Sequence, residues 1–209
     1  MNATRPVEAA FEQVVTGYPE EAALVSELQA GSEEAYSYLL AVYQNPVFNL
    51  VSHLLANSSD AADVMQEIFI KVFRGIRHFQ GSSSLRTWIY RIAVHEAFNH
   101  RRSWFRRLRH EIFSLDEEER EAEPTQTLTA ASGETPLEAL EHSERQHLVQ
   151  SALGSLAQPY RTVIVLREIE GLSYQEIGEV LGVKEGTVKS RLLRGRELLR
   201  RKLESWLGK

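Results

Sequence analysis

LSYQEIGEVLGVKEGTVKSRLLRGRELLRRKL, residues 172–203, holds two helix starts about one glycine break. Ser173 followed by Glu176 is a capping-box pair, which predicts a helix start there. Ile177 and Leu181 lie four apart on one face of that helix, and Gly182 permits the sharp turn that ends it. A second helix begins near Glu185 with Val188 and Leu192 facing inward. Its outer surface is then Lys184, Thr187, Lys189, Ser190, Arg191 and Arg194, all hydrogen-bond donors. The pattern predicts a helix-turn-helix, whose second helix enters the major groove with its early residues at the base edges. Arg196, Arg200 and Arg201, further along, suit phosphate contacts. A solvated basic helix in a bundle is the competing reading, but two helices, a glycine turn and a polar surface coinciding favour DNA binding.

Outward from this motif the helical period persists. Thr135-Pro-Leu-Glu138 offers an N-cap, a first-turn proline and a capping-box glutamate, which predicts a helix start. From there to Leu207, apolar residues recur at spacings of three and four, with breaks at Gly154 to Pro159, Gly171 and Gly182. The short VIVL run at Val163 to Leu166 is read as buried helix from its neighbours. Upstream, EEEREAEPTQTLTAASGETP has the composition of a linker that cannot bury enough apolar surface to order itself. Before it, helical periodicity covers about Glu21 to Arg109. The expectation is all-α: a leader over 1–20, a helical domain over 21–105, a flexible acidic linker over 106–134 and a second helical domain over 135–209 that contains the helix-turn-helix.

The charges are sorted along the chain. Overall charge is −5. Arg86 to Arg109 contains seven arginines and one glutamate, net +6; His110 to Glu144 contains eleven acids and one arginine, net −10; Val183 to Lys202 is again net +6. Two basic segments flank an acidic one.

The first basic segment follows SLRTWIYRIAVHEAFNHRR. There Trp88, Arg91, His95, Asn99 and Arg102 form one stripe, and Tyr90, Ala93, Val94 and Ala97 form an opposing core stripe. An exposed row of Trp, Arg, His, Asn and Arg suits unpaired bases: flat groups stack, Asn and His read edges, and arginines hold phosphates. A core tryptophan with a solvated basic face is the commoner meaning of such a pattern taken alone. On DVMQEIFIKVFR, Met65, Ile68, Phe69 and Val72 make the core stripe, while Asp63, Gln66, Glu67, Ile70, Phe73 and Arg74 lie opposite. Apolar Ile70 and Phe73 inside a polar rim resemble a protein-docking surface, unless a second layer of the domain covers them.

Several classes drop out. With no cysteine, the chain has no disulfide, thiolate zinc site or cysteine nucleophile. His95-Glu96 with His100 misses the zinc-protease spacing, because Asn99 stands where the second histidine belongs. There is no GxxxxGK[ST] and no GxSxG, so neither an enzyme nor a cofactor or metal is expected. No apolar run approaches the roughly 20 residues that span a bilayer, and the N-terminus lacks a signal-peptide core, so a cytoplasmic protein without membrane insertion is expected.

The order DVMQEIFIKVFRGIRHFQGSSSLRTWIYRIAVHEAFNHRR, acidic linker, SLAQPYRTVIVLREIEGLSYQEIGEVLGVKEGTVKSRLLRGR resembles the bacterial extracytoplasmic-function (ECF) sigma factors of the sigma-70 family. The resemblance spans about residues 20–105 and 135–207. It implies that Asp63, Gln66, Glu67, Ile70, Phe73 and Arg74 dock on core RNA polymerase. It implies that the loop from Phe79 through Ser83 to Ser84 captures a flipped base of the minus-ten element, which offsets an unpairing cost of a few kcal/mol. Arg86, Thr87, Trp88, Arg91, His95, Asn99 and Arg102 are then expected around the melted strand. Arg167, Tyr174, Gln175, Lys184, Thr187, Lys189, Ser190, Arg191, Arg194 and Arg196 are expected on minus-thirty-five promoter DNA as duplex. Many relatives carry Asn where this chain has His95, which bears on base preference. An anti-sigma factor that clamps both domains is a further expected partner. The competing reading is a helix-turn-helix transcriptional regulator with an N-terminal sensing domain, which leaves the Trp88 to Arg102 stripe unexplained.

Overall fold

In the computed structural model the described residues are 21–55, 60–112 and 148–207. Every regular element among them is helical. The helix start expected at Thr135, most of the acidic linker and the leader lie outside the described residues.

Helix α1, Glu21–Ala30, ends at Gly31, whose φ of 86° turns the chain. Ser32 then caps α2, Glu33–Leu54, by accepting a hydrogen bond from the Ala35 amide. α3 is Ala61–Gly75, extended by a 3-10 turn over Ile76–His78. Its buried side is Val64, Ile68, Phe69 and Val72, so the expected core stripe holds with Val64 added and Met65 moved to partial exposure. α4, Leu85–Ile112, starts where Ser84 Oγ accepts from the Thr87 amide at 3.1 Å. It runs past the expected domain boundary at residue 105, because an Arg-rich sequence stays helix-forming after its apolar stripe ends. Tyr90, Ala93, Val94 and Ala97 are all buried, as their spacing required.

In the C-terminal half, residues 148–155 form α5, and the break expected between Gly154 and Pro159 narrows to Leu156 and Ala157. α6, Gln158–Ile164, passes into one π turn, Val165–Ile169. The VIVL run is thus helix, buried throughout, with a local widening that its period did not announce. α7, Tyr174–Leu181, carries the full Ser173–Glu176 capping box and ends at Gly182 in the left-handed conformation, φ 64°. α8 is Glu185–Leu207. Gly178 is required where α7 meets this turn: a Cβ there would lie 2.8 Å from the Val183 carbonyl oxygen. Val163, Ile164, Leu166, Ile177, Val188 and Leu192 fill the space between these helices.

The two halves share one apolar core. Arg161 sits at their junction, 1% exposed, and donates to the carbonyls of Leu153 (2.8 Å), Leu156 (3.1 Å), Gly154 and, from the other half, Leu54 (3.2 Å). Burial, with Arg101 adding, lowers its pKa to about 10, so the guanidinium stays charged at neutral pH and its hydrogen bonds are charge-assisted.

Candidate nucleic-acid interface

The loop before α4 is held from α1. Gln29 Nε2 donates to the carbonyls of Phe79 (2.8 Å) and Ile76 (3.2 Å), and Glu21 accepts from the Leu85 amide at 2.9 Å. Sequence reasoning missed both residues, since neither stands in a motif. Between these anchors, Gln80 to Ser82 and Ser84 are exposed, with Gly81 at φ 68°, and Ser83 is half-buried.

Three residues differ from the exposed roles expected of them. Phe79 is 8% exposed and Thr87 is 1% exposed, so both belong to the packing beneath the surface. Phe79 lies under Trp88, ring centroids 5.2 Å apart and tilted by 47°. Trp88 itself is half-buried, close enough to Gly75 that a Cβ there would be 3.1 Å from its ring. The tryptophan is therefore a braced plate with part of its surface open, which limits its orientations before anything stacks on it. Thr87 is covered because its hydroxyl accepts from Ser84 Oγ at 2.8 Å inside the first turn.

Beyond Trp88 the expected stripe is open: Arg91, His95, Asn99 and Arg102 are exposed. Asn99 Nδ2 and the Glu96 carboxylate each lie 3.1 Å from His95 Nδ1. Nδ1 accepts from the amide or donates to the carboxylate, so the histidine's hydrogen-bonding character follows its tautomer. Burial pushes the Glu96 carboxyl up, but the Lys71 ammonium at 2.5 Å and His95 outweigh it and hold Glu96 below its usual range. The stripe thus has cations at its ends and a fixed anion behind its middle. One of its arginines, and Arg86 in the first turn of α4, are engaged across the molecule: Arg91 Nε donates to the Glu179 carbonyl at 3.1 Å, and Arg86 Nη2 to the Glu170 carbonyl at 2.5 Å.

On the helix-turn-helix, Lys184, Lys189, Ser190 and Arg194 are exposed, with Thr187 and Arg191 half-buried. Lys189 pairs with Glu185 at 3.5 Å, and Ser190 Oγ donates to the Thr187 carbonyl. Gln175 donates to Glu179 at 3.1 Å. Tyr174 lies beneath Arg167 (5.0 Å to the ring centroid) and Lys189 (5.7 Å). Arg167 also donates to the Leu172 carbonyl at 2.7 Å, which fixes the turn before α7. Arg196 is bound by Glu168 through Nε at 2.9 Å and Nη2 at 2.5 Å. That hydrogen bond holds its pKa up, and a phosphate must compete for the side chain.

On α3, Asp63, Gln66, Glu67 and Arg74 are exposed, while Ile70 and Phe73 are half-buried rather than free. Phe73 meets Tyr36 edge-on, centroids 5.1 Å apart at 86°, so α2 partly covers the aromatic that the wheel left open. A groove of about 780 Å³ runs beside it, lined by Tyr36, Leu40, Phe73, Arg74 and Arg77 among others.

Taken together, these surfaces define a helical protein with a duplex-reading motif in one half and an aromatic, basic helix face in the other. Residues 39–107 match the family described as sigma-70 region 2, and residues 146–199 match sigma-70, region 4. The chain is 36% identical over 182 residues to the ECF RNA polymerase sigma-E factor of Haemophilus influenzae, covering 87% of this chain and 94% of that one. It is 38% identical to the ECF RNA polymerase sigma-E factor of Escherichia coli K12, over 87% and 93% of the two chains. Its fold is similar to that of the sigma factor RpoE, solved in complex with the anti-sigma factor NepR from Bartonella quintana, with a TM-score of 0.62, 22% identity and coverage of 81% of this chain and 96% of that one. The chain belongs to the ECF RNA polymerase sigma factors of the sigma-70 family. No helix among the described residues is long and apolar enough to cross a membrane.

Proposed function

We propose that this protein, acting in the cytoplasm and without chemistry of its own, brings core RNA polymerase to a set of promoters and holds the melted minus-ten strand open. The observation that carries this reading is the α4 face: a braced Trp88 at one end and exposed Arg91, His95, Asn99 and Arg102 along it. The bases would stack on Trp88 and the exposed Gln80 to Ser84 loop would take the extruded base, with Phe79 and Thr87 supporting from below. The minus-thirty-five duplex would be read by Lys184, Thr187, Lys189, Ser190, Arg191 and Arg194 on α8, with Tyr174, Gln175 and Arg167 beside it. Polymerase would dock on α3 through Asp63, Gln66, Glu67 and Arg74, with half-covered Ile70 and Phe73 as the apolar centre. An anti-sigma factor, as in the complex of the structural relative, would clamp the protein until release.

Run-off transcription by core polymerase from a pool of random promoters, with and without this protein, tests the proposal. Initiation from a shared pair of spaced motifs is the expected result. Duplex binding without initiation would overturn it in favour of a transcriptional regulator.

A further inference from the structure

Lys71, Glu96, His95 and Asn99 form a cluster that ties α3 to the exposed stripe of α4. Glu96 is its hub. Its side chain is only 12% exposed, against 70% for that of His95. Glu96 Oε2 takes the Lys71 ammonium at 2.5 Å, while Oε1 lies 3.1 Å from His95 Nδ1 and 3.5 Å from Asn99 Nδ2. Burial works against the charge on Glu96, but Lys71 and His95 outweigh it and keep the carboxylate ionised. Lys71 also holds it in place from the neighbouring helix.

A neutral imidazole has one N–H and one lone pair, so the partner of Nδ1 decides what Nε2 offers outward. Two groups compete for Nδ1. The carboxylate requires a proton on it, and the Asn99 amide, one helical turn on and also 3.1 Å away, requires a lone pair. A hydrogen bond to an ionised acceptor is roughly twice as strong as one between neutral groups, so the carboxylate wins the contest. Asn99, displaced from Nδ1, still has Glu96 Oε1 to donate to. The proton therefore sits on Nδ1, and the Nε2 lone pair is left for a ligand.

We propose that Glu96, anchored by Lys71, is a positioning residue that fixes the Nδ1–H form of His95, so that Nε2 accepts a hydrogen bond from a base of the melted strand. Adenine and cytosine, which donate from N6 and N4, are thereby selected over guanine and thymine, whose O6 and O4 would set lone pair against lone pair. The inference rests on the α4 face being the strand site. It gives a role to Lys71 and Glu96, which that reading leaves idle.

The test uses the full chain at pH 8, well above the ordinary imidazole range. Nitrogen-15 spectra of the histidine rings, with the His95 signals assigned by their loss in His95→Ala, are expected to show a protonated Nδ1 and an unprotonated Nε2. Glu96→Gln, which keeps the shape and removes the charge, is expected to move His95 toward the Nε2–H form. In run-off transcription from the random promoter pool, the unmutated protein is expected to favour adenine or cytosine at one minus-ten position by roughly 2- to 12-fold, the range of one net hydrogen bond. His95→Ala and Glu96→Gln are expected to bring that ratio near one while preferences elsewhere persist, which also shows that the variants fold; Lys71→Met, which frees the carboxylate from α3, is expected to lower it in part. A protonated Nε2 in the unmutated protein would overturn the proposal, as would a base preference that survives the tautomer change in Glu96→Gln, or a guanine or thymine preference at the His95 position. An unchanged ratio in Lys71→Met would overturn the part given to Lys71. No initiation from the pool would overturn the strand assignment and the base reading with it, an outcome kept distinct by the ring spectra, which need no DNA.

Discussion

Trp88→Ala separates the proposed strand-opening surface from the proposed duplex-reading one. The ring is half-buried, lies 5.2 Å from Phe79 and rests against Gly75, so truncation removes both a stacking plate and part of its support. A base stacked on an aromatic side chain is worth about 1–3 kcal/mol by alanine substitution, which is roughly 5- to 150-fold in the opening equilibrium. Stability also falls: full burial of an aromatic carries about 3–5 kcal/mol, so a half-buried one carries about 2, or roughly 4–8 °C in Tm for a chain of this size. The assay is fluorescence of 2-aminopurine placed in the minus-ten element, in the presence of core polymerase at 25 °C, beside binding of a separate minus-thirty-five duplex. Opening is expected to fall within that range while duplex binding changes less than twofold. Trp88→Phe, which keeps a flat ring over Phe79, is expected to recover most of the loss. Equal losses in both assays, or no recovery by Phe, would refute the reasoning, since the effect would then be one of general folding.

Gly178→Ala places a Cβ 2.8 Å from the Val183 carbonyl oxygen and should cost about 1–3 kcal/mol with weakened duplex binding, whereas Gly186→Ala, with open space around it near the start of α8, should stabilise by up to about 1 kcal/mol; thermal melts of opposite sign check the pair. Arg161→Met removes a donor from four carbonyls, of which Leu153 keeps the Leu156 amide, and should lower stability by about 3 kcal/mol, read by calorimetry; a loss under 1 kcal/mol would mean that the carbonyl cage contributes little. Burial, only partly offset by the Gln150 hydrogen bond, holds the His53 imidazole below its ordinary 6.5, so its neutral form contributes stability that is fully present above that value and is lost as pH falls below it. Melting temperature is thus expected to decline between pH 7.5 and 5.5, less steeply in His53→Gln.

Local rules made much of this protein legible. The Ser173–Glu176 box, the left-handed Gly182 and the inward Val188 and Leu192 depend on residues three or four apart, and the chain places them as its period requires. The α4 core stripe of Tyr90, Ala93, Val94 and Ala97 follows from the same spacing. By itself, then, the sequence determined the all-helical character, the helix-turn-helix and most of the inward stripes of α3 and α4, with Met65 and Thr87 the exceptions. A helical wheel says only which residues share a face, and what comes to rest on that face is settled by docking. Tertiary packing alone put α2's Tyr36 over Phe73, sank Phe79 and Thr87 beneath the surface, and brought Glu21 and Gln29 from α1 to the loop before α4. It also joined Arg86 to Glu170 and Arg91 to Glu179, partners more than eighty residues apart that no periodicity links, because their meeting depends on how two folded halves fit.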